Sequence, residues 1–292
     1  MTPLRRIPST KISALVSDVD GTLVNDDKRL TARAQAAVAK LHANGVIFTI
    51  ISSRPPRGLR MILDLLDLAA PVGGFNGGVI AAPDLSVIAQ HLLSPEIARR
   101  AVDMLDAHQV QVWVFSGQDW LVRDADAPYV GHEEHTVRFR PTMVEEFGHV
   151  LDVTVKIVGV SKDFELLAQC ERDVCATLAD HASVARSQPY YLDITHPLAN
   201  KGVALSEIAK LLAVPLAEIA VIGDGANDVA MFERSGLSIA MGNASQEVRR
   251  AADFVTDSNR EDGFANAIER FIIGGDRSNA QIGSAHAGVR AW

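Results

Sequence analysis

The sequence has little of what marks secreted, membrane or nucleic-acid-binding proteins. Its only two cysteines, Cys170 and Cys175, are too few for a disulfide framework or a zinc site. No apolar run has the length of a membrane span. Pro3 and Pro8 interrupt a basic N-terminal stretch without a long apolar region, so a signal peptide is not expected. The net charge of −8 comes without a Lys/Arg cluster, which argues against nucleic-acid binding. We therefore expect a cytoplasmic protein that binds neither nucleic acid nor membrane.

What the chain does have is an ordinary globular composition and enough length for one large domain or two moderate ones. It has 292 residues, of which 48% are hydrophobic and 22% are charged. These fractions are typical of a folded chain with a sizeable core.

Two carboxylates follow directly after a predicted buried strand. The apolar run from Ile12 to Val16 leads into Asp18 and Asp20, and Gly21 comes next. Alternation along an extended chain places the two carboxylates on the same side, and a glycine permits a sharp turn after them. Two such groups require a cation, a shared proton or a phosphate-bearing partner. The segment by itself fits either a nucleophile and an acid/base beside Mg²⁺ or an Asp-rich turn.

The order of predicted elements indicates an α/β fold with a parallel, Rossmann-like sheet and an inserted α+β domain. Strands and helices alternate over residues 1–81 and 191–273, as in a layered parallel sheet. Residues 82–190 lose that alternation and predict hairpins, strands and helices of a separate cap. Residues 274–292 are rich in Gly, Ser and Ala without an apolar period, which predicts a disordered tail.

A second acidic turn has the same form as the first. The predicted strand Ile219 to Ile222 runs into Gly223-Asp224-Gly225-Ala226-Asn227-Asp228. Parallel strands that end in acidic loops can surround one cation with Asp18, Asp20 and Asp224, and oxygen ligands suit Mg²⁺. The alternative is a Gly/Asp/Asn turn in which Asp228 is only a helix N-terminal charge.

Two further positions are candidates for phosphate binding. Ser52 ends the apolar strand of residues 46–51, where its hydroxyl and the following amides can hold a phosphate oxygen. Lys201 follows Asn200 and opens a predicted helix, where its charge can balance a phosphate. Each position alone also fits an ordinary turn serine or a solvated lysine.

Together these motifs resemble the Cof-type branch of the haloacid dehalogenase superfamily, with its large inserted cap of the C2 (IIB) type. The resemblance covers roughly residues 12–273 and rests on an ordered set of motifs. They are Asp18-Val19-Asp20-Gly21-Thr22, Ser52-Ser53-Arg54, Asn76-Gly77-Gly78, Asn200-Lys201-Gly202, the acidic turn at 223–228, Ala240-Met241-Gly242-Asn243-Ala244 and Glu261-Asp262-Gly263. Ser53 stands where the family usually has Gly, a departure that concerns the local loop geometry.

The resemblance implies a Mg²⁺-dependent phosphatase of small phosphate monoesters that works through an aspartyl-phosphate. It implies that Asp18 is the nucleophile and Asp20 the acid/base, and that Mg²⁺ is bound by the Asp18 and Asp224 carboxylates and the Asp20 backbone carbonyl. The remaining implied roles are phosphate binding and support of the site. The residues implied to bind phosphate are Ser52, Ser53, Lys201 and Asn227. The residues implied to support the site are Thr22, Asn200 and Asp228, and Asp228 would hold Lys201.

Two alternatives remain open from the sequence. A phosphomutase of the same superfamily would use the same residues, and a non-catalytic module would bind phosphate without turnover. The expected partner is a small phosphorylated metabolite, such as a sugar phosphate or a cofactor phosphate, and the expected assembly is a monomer or a homodimer.

Overall fold

The structure is a computed structural model that describes residues 11–274. The internal contacts divide the chain into two compact units. Within the described residues, the first unit comprises 11–51, 65–70 and 205–274, and the second comprises 52–64 and 71–204. The predicted boundaries of the cap at residues 82 and 190 remain a prediction.

The described chain forms short strands joined by helices and turns. The strands are β1 (Ala14–Ser17), β2 (Ile47–Ile50), β3 (Val72–Gly74), β4 (Val79–Ala81), β5 (Val87–Gln90), β6 (Gln111–Ser116), β7 (Asp119–Val122), β8 (Thr142–Met143), β9 (Thr154–Val160), β10 (Ser183–Gln188), β11 (Tyr191–Thr195), β12 (Ile219–Gly223), β13 (Leu237–Ala240) and β14 (Phe254–Val255). The α-helices are α1 (Ala32–Ala43), α2 (Arg60–Leu66), α3 (Pro95–Ala107), α4 (Val130–Val137), α5 (Phe164–Leu178), α6 (Lys201–Leu212), α7 (Val229–Phe232), α8 (Gln246–Ala251) and α9 (Gly263–Ala267).

The first unit contains the predicted parallel sheet, in the order β14-β13-β12-β1-β2. All four residues of β1 are buried, as expected for a parallel strand covered on both faces. In the register, Ser17 of β1 lies beside Ile222 of β12 and Ile50 of β2. The carboxyl ends of β1 and β12 are therefore neighbours, and both predicted acidic turns start from them.

Helix α1 shows how local sequence sets an element of this unit. The Thr31 side chain accepts a hydrogen bond from the Ala34 N–H at 3.1 Å, which satisfies one of the free amides of the first turn. Four apolar side chains that share one helical face are buried, as the sequence predicts: Ala34, Ala37, Val38 and Leu41. The chain leaves the helix through Gly45, which has φ +70°.

The second unit contains a six-stranded sheet, β10-β11-β9-β6-β7-β8, and a three-stranded sheet, β3-β4-β5. Strands β6 and β7 form the predicted antiparallel hairpin. Val112, Val114 and Ile157 lie on one face of the large sheet and share a buried core with α3 and α5. This unit therefore has the α+β character predicted for residues 82–190.

The sequence predicts helices over residues 56–68, 228–235 and 264–273, and all three are shorter or more irregular in the structure. The helix predicted over 56–68 begins as a 3₁₀ turn at Pro56 and ends at Leu66, because Asp67 has a left-handed φ of +48°. The helix predicted over 228–235 is an α-helix only from Val229 to Phe232. The last predicted helix, over 264–273, becomes a π-helical segment after Ala267.

Helix α4 is absent from the sequence prediction. Its two buried residues, Val130 and Val137, lie at its two ends, and Glu133 and Glu134 occupy the positions between them where a helix would repeat an apolar residue. It begins after Tyr129, whose φ is +68°, and has no side-chain cap. The local signals that reveal most helices are therefore missing.

No helix within residues 11–274 is long and apolar enough to cross a membrane. The predicted tail from residue 275 onward lies outside the described residues.

Candidate active site

The opening acidic loop is built on one backbone carbonyl. After β1, the N–H groups of Thr22, Leu23 and Val24 all donate to the carbonyl of Val19, at 3.0 to 3.3 Å. The Asp18 N–H still belongs to the sheet and donates to the carbonyl of Ile222 in β12 at 2.9 Å. Asp18 is thus fixed by the sheet, and the loop closes tightly after it.

Gly21 is required in this loop for two reasons. Its φ of +85° lies in the left-handed region that glycine tolerates best. A Cβ added there would lie 2.3 Å from Oδ2 of Asp224. The opening loop and the loop after β12 therefore approach each other closely at this point.

The second acidic turn is organised by the carboxylate of Asp228. Its Oδ2 accepts the backbone N–H groups of Asp224 at 2.9 Å and Gly225 at 2.8 Å. A Cβ on Gly223 would lie 2.3 Å from the Asp228 carboxyl carbon, so only glycine fits there. Asp228 is fully buried and fixes the backbone from which the Asp224 side chain projects.

Three carboxylates come together at the ends of β1 and β12. One oxygen each from Asp18, Asp224 and Asp228 lies within 4.8 Å of the other two. Asp18 is only 6% exposed. Carboxylates this close repel one another unless a cation or a proton offsets their charge. A set of hard oxygen donors suits a divalent metal such as Mg²⁺, so the residues present fit the predicted ion.

Asp20 is placed differently from Asp18 although the two are chemically identical. Its carboxylate pairs with Nζ of Lys28 at 2.8 Å and does not belong to the three-carboxylate cluster. The Asp20 side chain is 22% exposed, compared with the buried Asp18. The Asp20 side chain is therefore partly exposed, while the predicted metal contact of Asp20 involves its backbone carbonyl.

Two side chains donate hydrogen bonds to the Asp224 carboxylate, one to each of its oxygens. The Thr22 hydroxyl donates to Oδ1 at 3.0 Å, and the Asn243 amide donates to Oδ2 at 3.2 Å. Thr22 is a predicted support residue, whereas no role was predicted for Asn243. The sequence signal for Asn243 was its place in the motif of residues 240–244.

The other predicted site residues lie in the second unit or on the surface of the first. Ser52 is buried; its Oγ accepts the N–H of Arg54 at 3.1 Å, and its carbonyl accepts the N–H of Asn76 at 2.7 Å. Ser53 is exposed, as is Asn227 in the 3₁₀ turn before α7. The hydroxyl of Ser52 is thus part of a tight turn, and its binding of phosphate stays a prediction.

Asn200 and Lys201 begin helix α6. Oδ1 of Asn200 accepts the N–H of Val203 at 3.0 Å and caps the helix. Lys201 is only 1% exposed, and a lysine is almost never so deeply buried unless it is paired. Gly77, with φ +98°, packs against this start, since a Cβ there would lie 2.5 Å from Cβ of Ala204. Two motifs far apart in the sequence thus meet within the second unit.

Comparisons with known proteins agree on one family. A family model described as haloacid dehalogenase-like hydrolase matches residues 15–268. A putative phosphatase of Haemophilus influenzae is 28% identical over 257 residues, covering 88% of this chain and 97% of that protein. The 5-amino-6-(5-phospho-D-ribitylamino)uracil phosphatase YitU of Bacillus subtilis is 29% identical over 276 residues, covering 90% and 98%. A crystal structure of a haloacid dehalogenase-like hydrolase from Bacteroides thetaiotaomicron superposes with a TM-score of 0.82 at 27% identity, covering 89% and 100%.

Proposed function

Since the chain belongs to the haloacid dehalogenase-like hydrolases and is a phosphatase of the Cof type, we propose that it hydrolyses a small phosphate monoester with the help of Mg²⁺ and through an aspartyl-phosphate. The observation that carries the proposal is the cluster of Asp18, Asp224 and Asp228 at the ends of two neighbouring parallel strands. Such a cluster gives a nucleophile and a cation site in one place.

The reaction we propose has two balanced steps. In the first, a carboxylate oxygen of Asp18 attacks phosphorus, the bond to the ester oxygen breaks, and Asp20 gives its proton to the departing alcohol. In the second, a water attacks the phosphorus of the aspartyl-phosphate and its proton passes to Asp20. Inorganic phosphate leaves and the Asp18 carboxylate is restored. The burial of Asp18 and the partial exposure of Asp20 support this division of roles.

The metal ligands in this proposal are the carboxylates of Asp18 and Asp224 and the backbone carbonyl of Asp20. A bound Mg²⁺ would supply positive charge to offset that of the transferring phosphoryl group. Asp228 is a supporting residue, because one of its oxygens already accepts two backbone N–H groups at 2.8 and 2.9 Å. We assign phosphate binding to Ser52, Ser53, Lys201 and Asn227, and helix capping beside Lys201 to Asn200.

The substrate we propose is a sugar phosphate or a cofactor phosphate. The relative from Bacillus subtilis is named for a substrate that carries a phosphorylated ribityl chain, which supports a polyol or sugar ester here. Residues 82–190 would then form the cap that selects the alcohol part. A phosphate-release screen over a panel of metabolite esters would identify the class. Isomerisation without free phosphate would contradict the proposal.

The mechanism is tested by the variant Asp20→Asn with an activated aryl phosphate. Such a leaving group departs as a stable anion, so the first step needs no acid, while the second step lacks its base. Rapid mixing should show a burst of up to one leaving group per active site and then slow turnover, with the phosphate mapped to Asp18. Asp27→Asn is the matched control, because Asp27 is exposed in the following loop and should behave as the wild type. Phosphate on Ser52, or on no residue, would contradict the mechanism.

A further inference from the structure

The side-chain amide of Asn243 links the two acidic loops of the first unit. Its Nδ2 donates to the Gly21 carbonyl of the opening loop at 2.9 Å and to Oδ2 of Asp224 at 3.2 Å. Its Oδ1 accepts the backbone N–H of Asn259 at 3.0 Å. Both ends of the amide are therefore used, and the orientation of the side chain is fixed although the residue is exposed.

A third loop holds Asn243 in this place. The Gly242 N–H donates to the Asp257 carbonyl at 3.0 Å, and a Cβ on Gly242 would lie 2.8 Å from the Ser258 nitrogen. Asn259 is buried and donates from its own amide to Oδ1 of Asp26 at 3.1 Å. Gly263 closes the third loop by donating to the Ser258 carbonyl at 2.9 Å. The motifs at 240–244 and 261–263 thus build one support.

The Asp224 carboxylate is held at both of its oxygens. Oδ1 accepts a hydrogen bond from the Thr22 hydroxyl, and Oδ2 accepts one from the Asn243 amide. Donors at both oxygens set the plane of the carboxylate.

We infer that Asn243 is a positioning residue, which fixes the Asp224 carboxylate in the orientation that a divalent cation requires. The inference rests on the proposed function in one respect, namely that Asp224 is a metal ligand. Partners that orient a metal ligand are typically worth about 10–100-fold in metal affinity. Asn243→Ala should weaken the binding of a divalent cation by about that factor, because the carboxylate becomes free to rotate away from the Gly21 side.

The test measures metal binding without substrate or turnover. The probe is Mn²⁺ alone, a hard cation that accepts carboxylate ligands, titrated into the metal-free full-length protein and followed by electron paramagnetic resonance. The control is Gln169→Ala. Nε2 of Gln169 also donates to a carboxylate oxygen, Oδ1 of Asp173, at 3.0 Å within helix α5 of the second unit. This variant loses an amide–carboxylate hydrogen bond that involves none of the three loops around Asn243, and it should bind Mn²⁺ as the wild type does.

The outcomes separate this inference from the proposed function. Wild-type affinity in Asn243→Ala, with Asp224→Ala clearly weakened, would overturn the inference alone. No Mn²⁺ binding by the wild type, or full binding by Asp224→Ala, would overturn the metal role of Asp224 and the inference with it. If circular dichroism shows that Asn243→Ala does not fold, Asn243→Gln decides. It retains the amide on a longer arm and should bind Mn²⁺ more weakly than the wild type, and wild-type affinity would overturn the inference.

Discussion

Substitution of Gly21 by alanine tests whether the approach of the two acidic loops is needed for activity. The added methyl group meets the Asp224 carboxylate at 2.3 Å, whereas real Cβ contacts are essentially never below 3.0 Å. In a close-packed site the carboxylate must therefore move by at least about 0.7 Å, or the opening loop must move instead. Either displacement changes the distance between Asp224 and its neighbours in the cluster.

We expect Gly21→Ala to lose both stability and activity, and the loss of activity should be the larger effect. A left-handed backbone costs an L-residue roughly 1–2 kcal/mol, which for a chain of this size lowers the Tm by about 2–8 °C. Misplacement of a catalytic group by about 1 Å can lower the rate on the order of 10²-fold. We therefore expect Gly21→Ala to fold with a modestly lower Tm and to lose kcat/KM on the order of 10²-fold.

A second glycine offers a control that should lose stability without losing activity. Gly45 has φ +70°, and an added Cβ would have no heavy atom within 4 Å. Gly45→Ala should lower the Tm by a similar amount and keep wild-type kcat/KM on an aryl phosphate. The reasoning is refuted if folded Gly21→Ala has the same kcat/KM as Gly45→Ala, because the contact with Asp224 would then be irrelevant to catalysis.

Three further predictions concern the metal, the cap and pH. Exhaustive EDTA treatment should abolish activity, and Mg²⁺ should restore it. Ca²⁺ should restore activity poorly, because the larger coordination shell of Ca²⁺ misplaces the attacking carboxylate. Full activity after chelation would be inconsistent with the proposal. Replacement of residues 82–190 by a short linker should reduce the turnover of metabolite esters far more than the turnover of a small activated ester. Circular dichroism must first show that the variant is folded. Equal losses on both substrates would mean that the segment only supports the core. Burial, together with the His91 ring stacked at 5.5 Å, holds the pKa of His196 below its ordinary value of 6.5. Folding therefore favours the neutral form of His196. The stability that this preference contributes is fully present above pH 6.5 and is lost as the pH falls below that value. His196→Asn should reduce the fall in Tm between pH 7 and pH 5, and an unchanged fall would argue against this role.

Much of the site follows from local sequence because local backbone rules decide it. A buried apolar strand, a carboxylate at its end and a glycine that accepts a positive φ are enough to place Asp18 and Gly21 at the edge of a parallel sheet. The recurrence of that pattern at Asp224 predicted the second half of the cluster, since parallel strands end at one edge. Helix α1 was predictable for the same reason, because its cap and its apolar face lie within a dozen residues.

The partners of those residues were decided by tertiary structure. Lys28 pairs with Asp20 only because the loop between them turns back. The sequence likewise did not predict that Oδ2 of Asp228 accepts the backbone N–H groups of Asp224 and Gly225. Asn243 lies 222 residues from Gly21 along the chain. Its amide reaches both acidic loops only because β13 pairs with β12 and β12 with β1 in one register. Periodicity and turn propensity describe a few neighbouring residues, so they place each loop at a strand end, whereas the bonds between loops depend on how the strands are ordered.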